Sequence, residues 1–225
     1  MTARQKRASP SHVVAPDGTA LPVGFTTPPD AQAILVLAHG AGTSMHHPSL
    51  VALAAALARH RIATVTFDFP YRARGGGAPD RLPVLVGAYQ AVLAAVREGG
   101  ALPLFIGGRS LGGRVASHVA AAGAAVDGLV FLAFPLHRPR EPGTARAAHL
   151  PTIRRPMLFV QGTRDAFARW DLLTSVVGEL PTATLHAIAD GDHGFRVPKR
   201  TGRTEAQILD EIAGVVARWI VASPG

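Results

Sequence analysis

The chain has no cysteine at all. That excludes disulfides, cysteine nucleophiles and thiolate metal sites, and it sets a cytoplasmic location as the expectation. Lysine is nearly absent too: Lys6 and Lys199 are the only two, so the net charge of +8 is carried by arginine scattered along the sequence. No block of five like charges occurs and aromatics make up 6%. Charge gathered into a stripe, or interleaved with aromatics, is the usual mark of a nucleic-acid surface. Its absence points to a solvated arginine-rich exterior and to no nucleic-acid partner. No apolar run approaches eighteen residues, which excludes a membrane span. The basic stretch Met1–Pro10 lacks a following apolar segment, so it is not read as a secretory signal. It reads as a disordered N-terminus, leaving 11–225 as one domain.

What is present is a sizeable core. Of 225 residues, 48% are hydrophobic, enough for one globular domain of this length. His12 to Thr27 reads as a hairpin turning at Pro16-Asp17-Gly18. Beyond it, short continuous apolar runs alternate with amphipathic stretches. The runs are Ile34–Ala38, Ala63–Phe69, Pro103–Gly107, Leu129–Phe134, Met157–Gln161 and Ala183–Ile188. Helical spacing appears over Ser49–Arg59, Leu82–Arg97, Leu111–Ala122 and Asp171–Leu180, and after Thr204, where Gln207 completes a capping box. Buried strands separated by helices predict an α/β fold, a mostly parallel sheet with helices on both faces. Such sheets bind ligands at the carboxyl ends of their strands.

Those ends carry the chemistry. Gly108-Arg109-Ser110-Leu111-Gly112 follows a strand and opens a helix, placing a serine on a tight turn. Gly-x-Ser-x-Gly arises by chance in about one chain in ten of this composition, so its surroundings must decide. The loop His39-Gly40-Ala41-Gly42 follows the first parallel strand. Its amide at Ala41, with that of Leu111, suits a developing oxyanion, although a structural turn would read the same way. Asp165 follows the run 157–161 and can orient an imidazole; the plain alternative is a helix-capping or surface aspartate. His193, on a glycine-flanked loop after the last strand, can reach the serine. The chain order Ser110, Asp165, His193 makes the set specific.

Other residues compete. Asp171 rivals Asp165, and Glu141 is a further acid; Asp190 and Asp192 lie too near His193 and serve its loop. His46 and His47 either line the pocket or are exposed. His137 is expected to be a pocket or structural residue rather than the base. Gly42, Tyr71, Arg72 and Arg109 are the other pocket candidates. No acid stands at a metal-ligand spacing from His39, His46 and His47, so neither metal nor cofactor is implied.

With these residues the sequence resembles the α/β-hydrolase superfamily. It looks most like a small branch related to dienelactone hydrolases. That branch includes bacterial predicted hydrolases and animal relatives, one of them a subunit of a chromatin acetyltransferase complex. The likeness rests on His39–Gly42, Phe69-Pro70-Tyr71, Gly107–Arg114, Pro135-Leu136-His137, Gln161–Asp165 and Asp192-His193. It implies Ser110 as nucleophile, His193 as base, Asp165 as acid, and backbone amides of Leu111 and Ala41 as the oxyanion hole. Dienelactone hydrolases proper use a cysteine nucleophile, absent here, so their substrate is not carried over. The expected function is hydrolysis of an ester-type bond of a small soluble acyl substrate by water; the alternative is a non-catalytic interaction module or complex subunit. Between Pro135 and Pro156 there is room for no lid domain, which predicts an open pocket. Arg72, Arg74, Arg109, Arg138 and Arg140 fall near strand ends, where they either favour anionic substrates or are simply solvated.

Overall fold

Eight strands form one sheet in the order β1-β2-β4-β3-β5-β6-β7-β8. The computed structural model describes residues 11–100 and 102–223; the N-terminal stretch 1–10, expected to be disordered, lies outside the described residues. The strands are β1 (His12–Val14), β2 (Ala20–Thr26), β3 (Ala33–Ala38), β4 (Ile62–Phe67), β5 (Leu104–Arg109), β6 (Gly128–Leu132), β7 (Met157–Gly162) and β8 (Ala183–Ile188). The hairpin strands β1 and β2 pair antiparallel, and β2 runs antiparallel to β4. From β4 through β3, β5, β6 and β7 to β8 every pairing is parallel. Each parallel crossover carries its strand's end back to the same edge, so the loops after β3, β5, β7 and β8 converge there.

The helices are α1 (Pro48–Arg59), α2 (Pro70–Ala73), α3 (Leu82–Glu98), α4 (Leu111–Ala121), α5 (Trp170–Gly178) and α6 (Glu205–Ala222). Alternation along the strands divides the core in two. Val36 and Ile106 join Leu85, Val92, Val115, Val119 and Leu173, from α3, α4 and α5, in one cluster. Leu35, Leu37 and Phe105 join Leu53, Leu57, Ile212 and Val216, from α1 and α6, in the other. This period-two split is what a parallel sheet buried on both faces requires. Tyr89 of α3 reaches into the sheet itself. Its hydroxyl accepts from the Gly107 amide at 2.9 Å and lies 2.7 Å from the Val36 carbonyl, bridging β3 and β5 directly below the elbow.

Local signals account for most boundaries. The capping box at α6 forms as expected: Thr204 Oγ1 accepts from the Gln207 amide and Gln207 Oε1 from the Thr204 amide. Two departures have physical causes. The run 129–134 is apolar throughout, yet β6 stops at Leu132 because Ala133 adopts φ +55° and leaves the strand. The run 63–69 likewise overshoots: β4 ends at Phe67, and Pro70 starts the one-turn helix α2, since its fixed φ suits a first helical position. Between β6 and β7 stand only the 3-10 turns 145–147 and 150–152; no lid domain covers the sheet edge among the described residues. No described helix is long and apolar enough to cross a membrane.

Candidate active site

The β5–α4 turn is the site's centre. Ser110 sits at φ +49°, ψ −111°, a conformation that costs a non-glycine residue about 1–3 kcal/mol. Close packing holds it there. The Ser110 amide donates to the Leu132 carbonyl of β6 at 2.9 Å. A Cβ on Gly112 would lie 2.4 Å from the Ala38 carbonyl oxygen, and one on Gly108 2.6 Å from the same atom. Only glycine at both positions lets the turn press against the end of β3.

Two further strand ends deliver partners to the serine. His193 Nε2 lies 2.8 Å from Ser110 Oγ, and its Nδ1 lies 2.7 Å from Asp165 Oδ2. An ionised carboxylate only accepts, so Nδ1 carries the proton and Nε2 is left as acceptor for the serine hydroxyl. Asp165 is 4% exposed, and its charge is met by donors rather than by water. Gln161 Nε2 donates to Oδ2 at 2.6 Å and the Phe167 amide to Oδ1 at 2.7 Å. The Phe167 ring lies against the imidazole, with centroids 4.3 Å apart. The three residues that the sequence placed at separate strand ends are thus joined in one hydrogen-bonded chain. The rival acids are engaged elsewhere: Asp171 pairs with Arg169, exposed, at 2.7 Å, and Glu141 faces Arg138 at 3.9 Å. Asp192 Oδ1 accepts from the amides of Gly194 and Arg196 and shapes the histidine loop; Asp190 pairs with Arg200.

The β3–α1 loop passes beside Ser110. A Cβ on Gly40 would be 3.8 Å from Ser110 Cβ. The buried His39 fixes this loop. Its Nδ1–H donates to the Gly40 carbonyl at 2.8 Å, while Nε2 accepts from the Phe69 amide at 3.2 Å. Burial pushes the His39 pKa down, in keeping with a neutral ring. Leu111 is the first residue of α4, where an amide has no intrahelical acceptor. Neither it nor the Ala41 amide donates to any described residue. The Leu111 amide follows Ser110 directly in the chain, and Ala41 lines the same cavity as Ser110.

A cavity of about 740 Å³ opens on Ser110, His193, Gly40, Ala41 and Arg109. The other pocket candidates from the sequence, Gly42, Tyr71, Arg72 and His137, do not line it. Gly42 is exposed. Tyr71 is 3% exposed and stacked on Phe69, and burial pushes its hydroxyl pKa up. Arg72 turns to the Gly76 carbonyl at 3.0 Å. His137 spans two loops, its Nδ1–H donating to the Arg138 carbonyl and Nε2 accepting from the Arg169 amide. These chain segments do reach the correct sheet edge, but their side chains are spent on loop packing. His46 and His47 also part company: His47 lines the cavity mouth and His46 is exposed without lining it.

Arg109, a pocket candidate from the sequence, does line the cavity; the sequence did not show what its guanidinium touches. Its Nη2 donates to the His193 carbonyl at 2.7 Å, and its guanidinium stands 5.7 Å over the Phe195 ring. No carboxylate pairs with it among the described residues, and burial pushes its pKa down. Arg109 therefore clasps the loop that carries His193. Gln161, in the otherwise apolar run Met157-Leu158-Phe159-Val160, is a second residue missed as a functional one; a fully buried amide in a strand is the signal that would have found it. A second Ser–His contact, Ser117 to His149 at 2.7 Å, has different chemistry. The Ser117 hydroxyl donates to the Arg114 carbonyl, so the imidazole is its donor and not a base.

The family model described as an alpha/beta hydrolase domain matches residues 31–221. Among solved structures, an alpha-beta serine hydrolase homologue from Coxiella burnetii superposes with a TM-score of 0.74 at 20% identity, covering 96% of this chain and 99% of that one. An alpha/beta serine hydrolase without lid from Xanthomonas campestris gives 0.72 at 23% identity, with 95% of each chain covered. A dienelactone hydrolase from Anabaena variabilis gives 0.73 at 19% identity, covering 97% of this chain and all of that one. The strand order, the serine on its strained turn and the family match over most of the sequence converge on one conclusion: the chain belongs to the alpha/beta hydrolase domain family.

Proposed function

We propose that this protein is a serine hydrolase that cleaves an ester-type bond through an acyl-enzyme on Ser110. The observation that carries the reading is the unbroken chain Asp165–His193–Ser110, with contacts of 2.7 and 2.8 Å. In it, His193 Nε2 takes the hydroxyl proton as Ser110 Oγ attacks the carbonyl carbon, and the carbonyl oxygen becomes an anion facing the Leu111 and Ala41 amides. Asp165 stays ionised and stabilises the imidazolium. Collapse breaks the bond to the leaving alcohol, which receives the proton from His193. Water then loses a proton to His193 and attacks the acyl carbon; the bond to Ser110 Oγ breaks, Oγ takes that proton back from His193, and the acid is released. The substrate and water are the only reactants this sequence of steps needs.

Replacing Ser110 by Ala is expected to lower kcat for an activated ester by about 10⁴-fold or more, and Asp165→Asn by about 10⁴-fold through the wrong imidazole tautomer. Ester turnover by Ser110→Ala at the wild-type rate refutes the assignment. In that event the interaction-module reading takes its place.

A further inference from the structure

The cavity that holds the nucleophile does not end at the reacting atoms. It continues away from Ser110 between the first turns of α1 and α6. There its walls are Leu50 and Leu53 on one side, Ile208, Leu209 and Ile212 on the other, and Leu132 of β6. Those six side chains are aliphatic and, Leu209 apart, show only their edges, at 3–5% exposed; Arg196 and Glu205 stand at exposed rim positions, while the half-buried Arg109 faces the cavity at its Ser110 end. A carboxylate, sugar or phosphate placed against this wall would lose its hydration with nothing to replace it. A methylene chain would gain by leaving water.

We propose that the cleft between α1 and α6 binds an unbranched aliphatic arm of the ester, and that esters carrying such an arm are preferred over short ones. The inference rests on the hydrolase reading above. Its physical basis is continuity: the same cavity touches Ser110, His193 and Ala41 at one end and the aliphatic wall at the other. An ester whose carbonyl faces the free amides thus has one arm directed along the wall. The aliphatic chain can belong to the acyl or to the alcohol side of the ester, and the two arms of the experiment separate these.

The test uses the full-length protein. One arm measures kcat/KM for p-nitrophenyl acetate, butyrate and octanoate; the other measures ethyl, butyl and octyl acetates. Fluorophosphonate labelling of Ser110 is run in parallel to check the underlying chemistry. The expected result is a rise of about tenfold or more from the shortest to the longest chain in one series, against a limit near fourfold for each fully buried methylene. Ala206→Trp and Leu209→Trp then fill the cleft from an exposed and a half-buried position. Each is expected to cut the long-to-short ratio of kcat/KM by about tenfold; because either variant alone tests the wall, one that misfolds leaves the other to decide. A labelled enzyme whose rates stay flat or fall with chain length in both series, and whose ratio both tryptophans leave unchanged, overturns the cleft while leaving the hydrolase reading in place. Failure to label overturns both.

Discussion

Arg109 offers a demanding test of how the site is held together. It stands next to Ser110 in sequence, yet its guanidinium donates at 2.7 Å to the carbonyl of His193, 84 residues away. Arg109→Met keeps much of the aliphatic stem and removes the bond. A hydrogen bond to a charged donor contributes about 1.5–3 kcal/mol, and the cation above Phe195 adds about 0.5–1 kcal/mol at a partly exposed ring. Part of that loss is recovered when water solvates the His193 carbonyl. If the remaining 1.4–2.7 kcal/mol or so falls on the population of correctly placed His193, kcat drops about tenfold to a hundredfold. Because the guanidinium acts through the loop and not on the ester, KM for a neutral ester should change less than about threefold. Arg109→Lys retains a donor and should restore part of kcat. The assay is steady-state hydrolysis of a neutral ester and of its carboxylate-bearing analogue. Both should lose activity by the same factor. A loss confined to the carboxylate substrate would make Arg109 a substrate anchor, and an unchanged kcat for both would refute the clasp.

Three other outcomes follow from the same geometry. Gln161→Leu removes one donor from the buried Asp165 carboxylate; kcat should fall about tenfold with the fold intact by circular dichroism, and an unaltered kcat would show the amide to be dispensable. Gly112→Ala forces a Cβ to within 2.4 Å of the Ala38 oxygen, so α4 must shift from β3; activity should be lost together with about 1–3 kcal/mol of stability in urea titration, and wild-type values for both would contradict the close-packed elbow. The third outcome concerns pH. Burial, aided by the neighbouring His118 and Arg114, holds the His149 pKa down at about 4, against an ordinary histidine value near 6.5. Burial also pushes down His118 and His39. A ring that stays neutral when folded but takes up a proton when unfolded leaves stability whole above about pH 6.5 and drains it as pH falls from 6.5 toward 4. Thermal denaturation between about pH 7 and pH 4.5 should show a falling Tm, with a shallower slope for His149→Gln; a Tm that is level across this window would contradict the buried neutral histidines.

How much of this was legible beforehand differs between the fold and the site. Apolar runs such as Ile34–Ala38 and Met157–Gln161 mark strands because both faces of the sheet are covered, and the capping box at Thr204 marks a helix start because its two bonds are local. Chain order was enough to suggest which strand ends bring Ser110, Asp165 and His193 together. What stayed hidden depends on where long side chains turn. Arg109 and Arg72 both follow strand ends, yet one reaches across to the histidine loop and the other folds back onto Gly76. Arg74 is held by Asp17 and Asp80, and Arg138 faces Glu141, so of the five arginines near strand ends Arg109 alone lines the cavity. Periodicity reports which face a residue occupies, not the contact its tip makes tens of residues away. The cleft between α1 and α6 was hidden for a related reason: its aliphatic wall reads in sequence as ordinary helix core.

The central claim is that Ser110 is the nucleophile. Intact-protein mass spectrometry after brief reaction with a fluorophosphonate, followed by peptide mapping, tests it most directly. One covalent adduct is expected, placed on the peptide containing Ser110, absent from Ser110→Ala and slowed about a hundredfold or more in His193→Ala. No adduct on the folded wild-type protein, or an adduct that persists in Ser110→Ala, would contradict it.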